Sequence, residues 1–191
     1  KEEEPEVVKI DDVLSPEEKK VISNKLKKDK IPPAKGNLIQ VEGLVLKEVT
    51  ELTIDLQTTS SPIEQILLMK EHIKQNWHYI FDPNTGTDTW RSAEATLSLK
   101  YKGKYTGDCD DYAILLASLA RQIGLKSRVI GGFNGSYGHA FAEFLVDYKT
   151  AQDLSEYLDI RSDFEGSWIS LDWFDGREHN VYTNDTRIII N

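Results

Sequence analysis

The chain has 191 residues, with 32 Asp and Glu against 23 Lys and Arg and a net charge of −9. That balance argues against binding a nucleic-acid backbone, which calls for a basic face, and no run reaches the roughly 18–20 apolar residues of a membrane span. A single cysteine excludes an internal disulfide.

Residues 1–12 are rich in Glu and Lys and read as a solvated tail. Ser15-Pro16-Glu17-Glu18 is a capping box with proline at the first helical position. It predicts a helix to about Asp29, stopped by Ile31-Pro32-Pro33. Residues 38–56 hold Ile39, Val41, Leu44, Leu46, Val49 and Ile54. Periodicity does not decide between helix and strand there, and the segment reads as strand-like. Residues 1–58 are therefore expected to form a charged tail and an appendage, packed on a main domain over 59–191. Lys1 stands where a Met would start a full chain, so an upstream signal peptide or membrane anchor fits, and an extracytoplasmic or tethered location is favoured.

Ser61-Pro62-Ile63-Glu64 repeats the capping box and opens a helix to about Trp77. Asp82-Pro83-Asn84-Thr85-Gly86 is a turn. Asp82, Asn84, Gly86 and Asp88 alternate as in a calcium loop, but the glycine falls one place early and Ala93 stands where the closing Glu belongs. A short helix over about 91–99 follows, then a Gly- and Lys-rich loop to Gly107.

The run Ala113-Ile-Leu-Leu-Ala-Ser-Leu-Ala120 has almost no polar side chains. A helix apolar on nearly all sides must be buried on nearly all sides. It is predicted from about Asp108 to Ile123, with Gly124 as its stop. Cys109 then lies in the first turn, where free N–H groups and the helix dipole favour a thiolate. Asp108, Asp110 and Asp111 act against this by raising the thiol pKa, although they also suit the cap. A reactive Cys109 would need a cation, most simply an imidazolium. The competing reading is a buried structural thiol.

Beyond Gly124, strands are predicted over 127–131, 139–146, 167–174 and 186–190, with Asn134-Gly135 as a hairpin turn and a short acidic helix over 149–160. Helices precede antiparallel strands, so the fold class is α+β. Of the four histidines, His72, His78 and His179 read as solvated or satisfied. His139 opens an apolar strand, where its ring would be fixed yet face a cleft. Asp172 sits mid-strand, where a carboxylate needs a partner such as an imidazole N–H. Thiol, imidazole and carboxylate make a nucleophile, a base and an orienting group. The acidic segment 147–165 reads as a solvated surface helix; the sharper alternative, since it leaves the His139 strand and returns on the Asp172 strand, is that it flanks this site and favours Lys- or Arg-containing peptides or amine acceptors.

These residues also carry a resemblance. Tyr79-Ile-Phe-Asp82, Trp90-Arg-Ser-Ala-Glu-Ala-Thr-Leu97, Gly107-Asp-Cys-Asp-Asp-Tyr-Ala113, the run from Leu116 to Gly131, Gly138-His139-Ala140 and Trp168-Ile-Ser-Leu-Asp172 stand in the order of the transglutaminase-like superfamily of papain-like thiol enzymes. The sequence resembles compact microbial members, with a longer step than usual between His139 and Asp172. The resemblance implies a buried helix carrying Cys109 as nucleophile, packed on an antiparallel sheet carrying His139 as base and Asp172 as orienter. It implies attack on a carboxamide, a peptide bond or a glutamine side chain, through an acyl-enzyme. Hydrolysis is favoured; the alternatives are a transglutaminase with an amine acceptor and a binding module on the same fold. The expected partner is a protein or peptide substrate. The Cys109 N–H is one oxyanion donor, and by the same resemblance Trp90 or Trp77 is a candidate for the second. No cofactor is required, although a related group binds calcium beside the cysteine, which would place it at Asp108, Asp110 and Asp111.

Overall fold

The computed structural model describes residues 15, 17, 37–57, 61–82, 89–134, 137–174, 179–182 and 188–190. The charged tail and nearly all of the helix expected over 15–29 lie outside the described residues, as does the turn after Asp82.

One helix, α4 (Cys109–Gln122), forms the centre, and every residue from Asp110 to Ala120 is buried. Its ends follow from local chemistry. The Asp111 carboxylate accepts the Asp108 N–H at 3.3 Å, which closes the N-terminal turn. At the other end Leu125 N–H reaches back to Ala120 O at 2.9 Å and Gly124 N–H to Arg121 O at 3.0 Å. That pairing needs a left-handed residue, and Gly124 supplies it at φ 85°.

Three helices surround α4: α1 (Leu44–Asp55), α2 (Pro62–Gln75) and α3 (Ala93–Ser98). The strand-like reading of 38–56 is thereby corrected, because Leu44–Asp55 is helical. Val45, Val49 and Leu52 recur at helical spacing and are buried, whereas Ile54 is exposed. These residues, with Leu38 and Ile39, join the same core as α4. Glu48 enters the core because the Tyr105 hydroxyl and Lys100 Nζ, the latter at 2.7 Å, both donate to its Oε1.

On the other side of α4 lies an antiparallel sheet in the order β5-β6-β4-β3-β7: β3 (Ser127–Asn134), β4 (Tyr137–Val146), β5 (Ile160–Asp163), β6 (Gly166–Leu171) and β7 (Ile188–Ile190). The fold is α+β, and all four predicted strand segments contribute to one sheet. Asn134 pairs with Tyr137 across the predicted hairpin. Along β4, Ala140, Ala142 and Phe144 enter the core with α4, while His139, Phe141 and Glu143 alternate onto the other face. A second, two-stranded parallel sheet pairs β1 (Trp77–Tyr79) with β2 (Tyr105–Gly107) beside the start of α4. Strands that short, paired at long range, have no local signature in the sequence.

Ala113, Ala117 and Ala120 are buried on α4, and the Ala117 carbonyl accepts the Ser127 hydroxyl at 2.7 Å. Small side chains here let helix and strand approach closely. Ala117→Leu is expected to cost about 1–3 kcal/mol by overpacking, measured by urea denaturation. A neutral result would remove the packing argument for this face.

Most of the acidic excursion lies away from the predicted site, and only Asp159 comes near it. The expected helix 149–160 is α5 (Tyr148–Leu154), followed by β5. β4 and β6 pair from Ala142↔Leu171 to Val146↔Ser167, so the excursion leaves and returns at the end away from His139 and Asp172, while β5 runs back along β6 and brings Asp159 opposite Ser170. Six residues separate Gly166 from Asp172, a span of about 20 Å in a strand. Several of its acids are also matched: Asp163 to Arg128 at 2.7 Å and Glu165 to Lys126 at 2.6 Å. Phe164 and Glu165 form the exposed tip of the turn between β5 and β6.

Candidate active site

Cys109 is the first residue of α4, so its backbone N–H has no intrahelical acceptor. Its sulfur meets β4 at Ala140, whose N–H donates to it, one residue past His139. His139 turns Nε2 to Asp172 Oδ2 at 2.5 Å. Continuing the β4–β6 register by one pair sets Asp172 opposite Phe141 and diagonal to His139, which explains the contact. Asp172 is 3 % exposed, and its Oδ1 accepts the Trp173 N–H at 2.6 Å. Burial pushes the Asp172 carboxyl up, but the hydrogen bonds and charges of His139 and His179 more than offset this, and it lies below its ordinary value. His139 and Asp172 are thus hydrogen-bonded at one end of the sheet, and the Cys109 sulfur meets the same strand at Ala140.

The balance between helix terminus and carboxylates is decided by the surroundings. Burial, then the charges of Asp110 and Asp108, push the Cys109 thiol up to about 12, against the pull of the Ala140 N–H. A raised thiol pKa means less thiolate at every pH below it. The rate of iodoacetamide labelling of Cys109 is therefore expected to climb without a plateau from about pH 6 to pH 9. Mass spectrometry of the intact chain would measure it, and a plateau near pH 6–7 would reveal a preformed thiolate instead.

Tyr79, at the end of β1, stands in the sequence only as part of a family motif, with no role of its own. Its hydroxyl hydrogen-bonds the Cys109 thiol, and burial followed by the charges of Cys109 and Asp108 pushes the phenol up, which keeps it a donor. Its ring contacts Trp173 and Phe174, with centroids 6.2 and 6.0 Å away, and Phe174 in turn meets the His139 ring at 5.7 Å. Of the tryptophans, Trp77 is buried and gives its indole N–H to Gly107 O at 3.1 Å, which occupies its only donor. Trp90 is half-buried against the core.

The three aspartates are buried, with carboxylate oxygens within 4.8 Å of one another. Asp108 Oδ2 accepts the Asp82 N–H at 3.3 Å. Asp111 is bound by Arg91 through Nε at 3.0 Å and through a second, shorter contact, while Arg91 also reaches Asp82 Oδ1 at 3.1 Å. Calcium takes six to eight oxygen ligands. Arg91 already occupies the Asp111 carboxylate, so the trio does not by itself supply the ligands of such an ion, and no chemical step is drawn through one. Burial alone would lower the Arg91 pKa, but Asp111 and Asp82 hold it above its ordinary value, the direction of an ion pair.

A buried helix presenting a thiol at its N-terminus to an antiparallel sheet, whose strands pair an imidazole with a carboxylate, defines an α+β protein of transglutaminase-like type. The chain belongs to the transglutaminase-like superfamily: the family profile matches residues 50–172. Solved structures that this chain is similar to include a candidate cysteine protease from Cytophaga hutchinsonii, at TM-score 0.42 and 18 % identity, covering 69 % of this chain and 39 % of that one. Another is a candidate protease from Parabacteroides distasonis ATCC 8503, at TM-score 0.43 and 16 % identity, covering 68 % of this chain and 25 % of that one. The chain thus spans well under half of either. None of the curated proteins compared with it matches. Among the described residues, no helix is long and apolar enough to cross a membrane.

Proposed function

We propose that this protein is a thiol hydrolase that cleaves a carboxamide in a protein or peptide, with Cys109, His139 and Asp172 as its working groups. The observation that carries the reading is the His139–Asp172 hydrogen bond of 2.5 Å, with the Cys109 sulfur held by the N–H of Ala140, the next residue. Nε2 is committed to Asp172, so Nδ1 is the nitrogen left to serve the thiol. Because the thiol is protonated at rest, His139 takes its proton as sulfur attacks the carbonyl carbon. The oxyanion that forms is held by the Cys109 N–H and the Tyr79 hydroxyl. Its collapse expels the amine, which takes the proton from His139, and leaves a thioester on Cys109. Water then attacks the thioester, His139 again accepting a proton, and the acid and free thiol are released.

The test is a screen of fluorogenic peptides and glutamine-containing peptides, with and without a primary amine. The expected result is release of acid product without incorporation of the amine. Efficient amine incorporation would instead make the protein a transglutaminase. No turnover and no acyl-enzyme by mass spectrometry, combined with tight peptide binding, would make it a binding module. Tyr79→Phe is expected to lower kcat by roughly 10²- to 10³-fold with little change in KM, the scale of losing one oxyanion donor.

A further inference from the structure

His179 stands among polar neighbours in the sequence, yet it is 6 % exposed. It begins a 3₁₀ turn, His179–Tyr182, laid over the face of β3 and β4 opposite α4. Its ring centroid lies 4.7 Å from that of Phe141, and the Tyr182 ring lies 5.1 Å from His139. Gly132 makes the close approach feasible, since a Cβ there would stand 1.8 Å from the Tyr182 carbonyl oxygen.

The turn delivers His179 Nε2 to within 3.2 Å of Asp172 Oδ2, the oxygen already held by His139. Asp172 is thus donated to by two imidazoles on one oxygen and by the Trp173 N–H on the other. On the far side of the ring, His179 Nδ1 faces Asp159 Oδ2 at 3.8 Å. Asp159 is itself buried and fixed at both ends: its Oδ2 accepts the Asn180 N–H at 3.3 Å and its carbonyl accepts the Ser170 N–H at 3.1 Å. The donors of His139, Asp172 and His179 lie within 4.8 Å of one another, as metal ligands also can. Two ligands of a tetrahedral zinc ion at about 2.0–2.1 Å stand roughly 3.3 Å apart, however. The 2.5 Å contact between His139 and Asp172 is hydrogen-bond spacing.

We propose that His179, with Asp159 as its charged neighbour, is a positioning residue for the triad: a second donor to Asp172 Oδ2 that stops the carboxylate turning away from His139. The proposal rests on the hydrolase reading above. A carboxylate held by one imidazole can rotate about its Cβ–Cγ bond, and the catalytic ring would follow it. Donors from a strand and from a 3₁₀ turn remove that freedom, and a misplacement of about 1 Å in such a site can cost 10²-fold.

The experiment uses the full chain with His179→Phe, which keeps a ring against Phe141 but no donor, and His179→Gln, which restores an N–H donor. Asp159→Asn is a milder third variant should the first fail to fold. His179→Phe is expected to lower kcat by about 10- to 100-fold at unchanged KM, the scale seen for outer partners of working residues. His179→Gln should recover most of the loss. On an Asp172→Asn background, His179→Phe should add almost nothing, because both act through the same carboxylate. An activity-free readout accompanies these: the downfield imidazole N–H resonance of His139, which should shift in His179→Phe and return in His179→Gln. An unchanged resonance and kcat in His179→Phe, equal losses in both variants, or full additivity with Asp172→Asn would overturn the proposal. If the resonance moves as expected while the unmodified chain hydrolyses no amide, the hydrolase reading fails and the link between His179 and Asp172 stands.

Discussion

Replacing Cys109 with alanine is expected to lower kcat/KM by roughly 10⁵- to 10⁶-fold, the scale of nucleophile loss in enzymes built on a triad. The melting temperature should hardly move, since the sulfur sits at a helix start and is only partly buried. Asp172→Asn is expected to cost about 10⁴-fold, because the amide cannot hold the same imidazole tautomer. The ordering matters as much as the size. With water as acceptor the thioester should also disappear from the mass spectrum in Cys109→Ala, whereas it should form slowly in Asp172→Asn. A Cys109→Ala variant with even a tenth of normal turnover would take the chemistry away from this residue.

The largest stability effect is expected at Arg91. Its guanidinium binds the fully buried carboxylate of Asp111 and reaches Asp82, which also accepts the Thr89 N–H at 2.7 Å. Arg91→Leu would leave Asp111 without its counter-charge in the first turn of α4. Breaking a buried pair from one side costs about 3–5 kcal/mol. For a chain of this size that is a fall in Tm of roughly 6–20 °C. Arg91→Leu combined with Asp111→Leu should be more stable than Arg91→Leu alone, because no unpaired charge remains. Calorimetry of the three chains decides it; a double variant worse than the single would mean that the pair acts through shape rather than charge.

The parts of this fold that were legible in the sequence are those whose causes are local. The ends of α4 are set by Asp108, Asp111 and Gly124, all within a turn of the ends themselves, and the predicted span of 108–123 lies within a residue of Cys109–Gln122. The alternation of β4 was equally plain. What escaped depends on partners distant in the chain. Val45, Val49 and Leu52 carry a helical stripe, but the β-branched residues around them masked it until α4 supplied a surface to bury it. β1 and β2 exist only because each pairs with the other. His179 looked solvated because its neighbours in the chain are polar, yet its neighbours in space are Phe141 and Asp172. Most of the excursion 147–165 was misplaced for a different reason. A strand has direction, and leaving the strand that carries His139 means leaving from its other end; only Asp159, where β5 runs back along β6, regains the site.

That other end has a practical use. Phe164, 98 % exposed, and Glu165 cap a two-residue turn fixed by the Asp163↔Gly166 pair, about 20 Å along the strand from Asp172. Foreign sequence is best tolerated at exposed turn tips of this kind. An affinity tag, a fluorophore or a bead linker grafted between Phe164 and Glu165 would hold the protein at the end of the hairpin away from His139 and Asp172, leaving that end free.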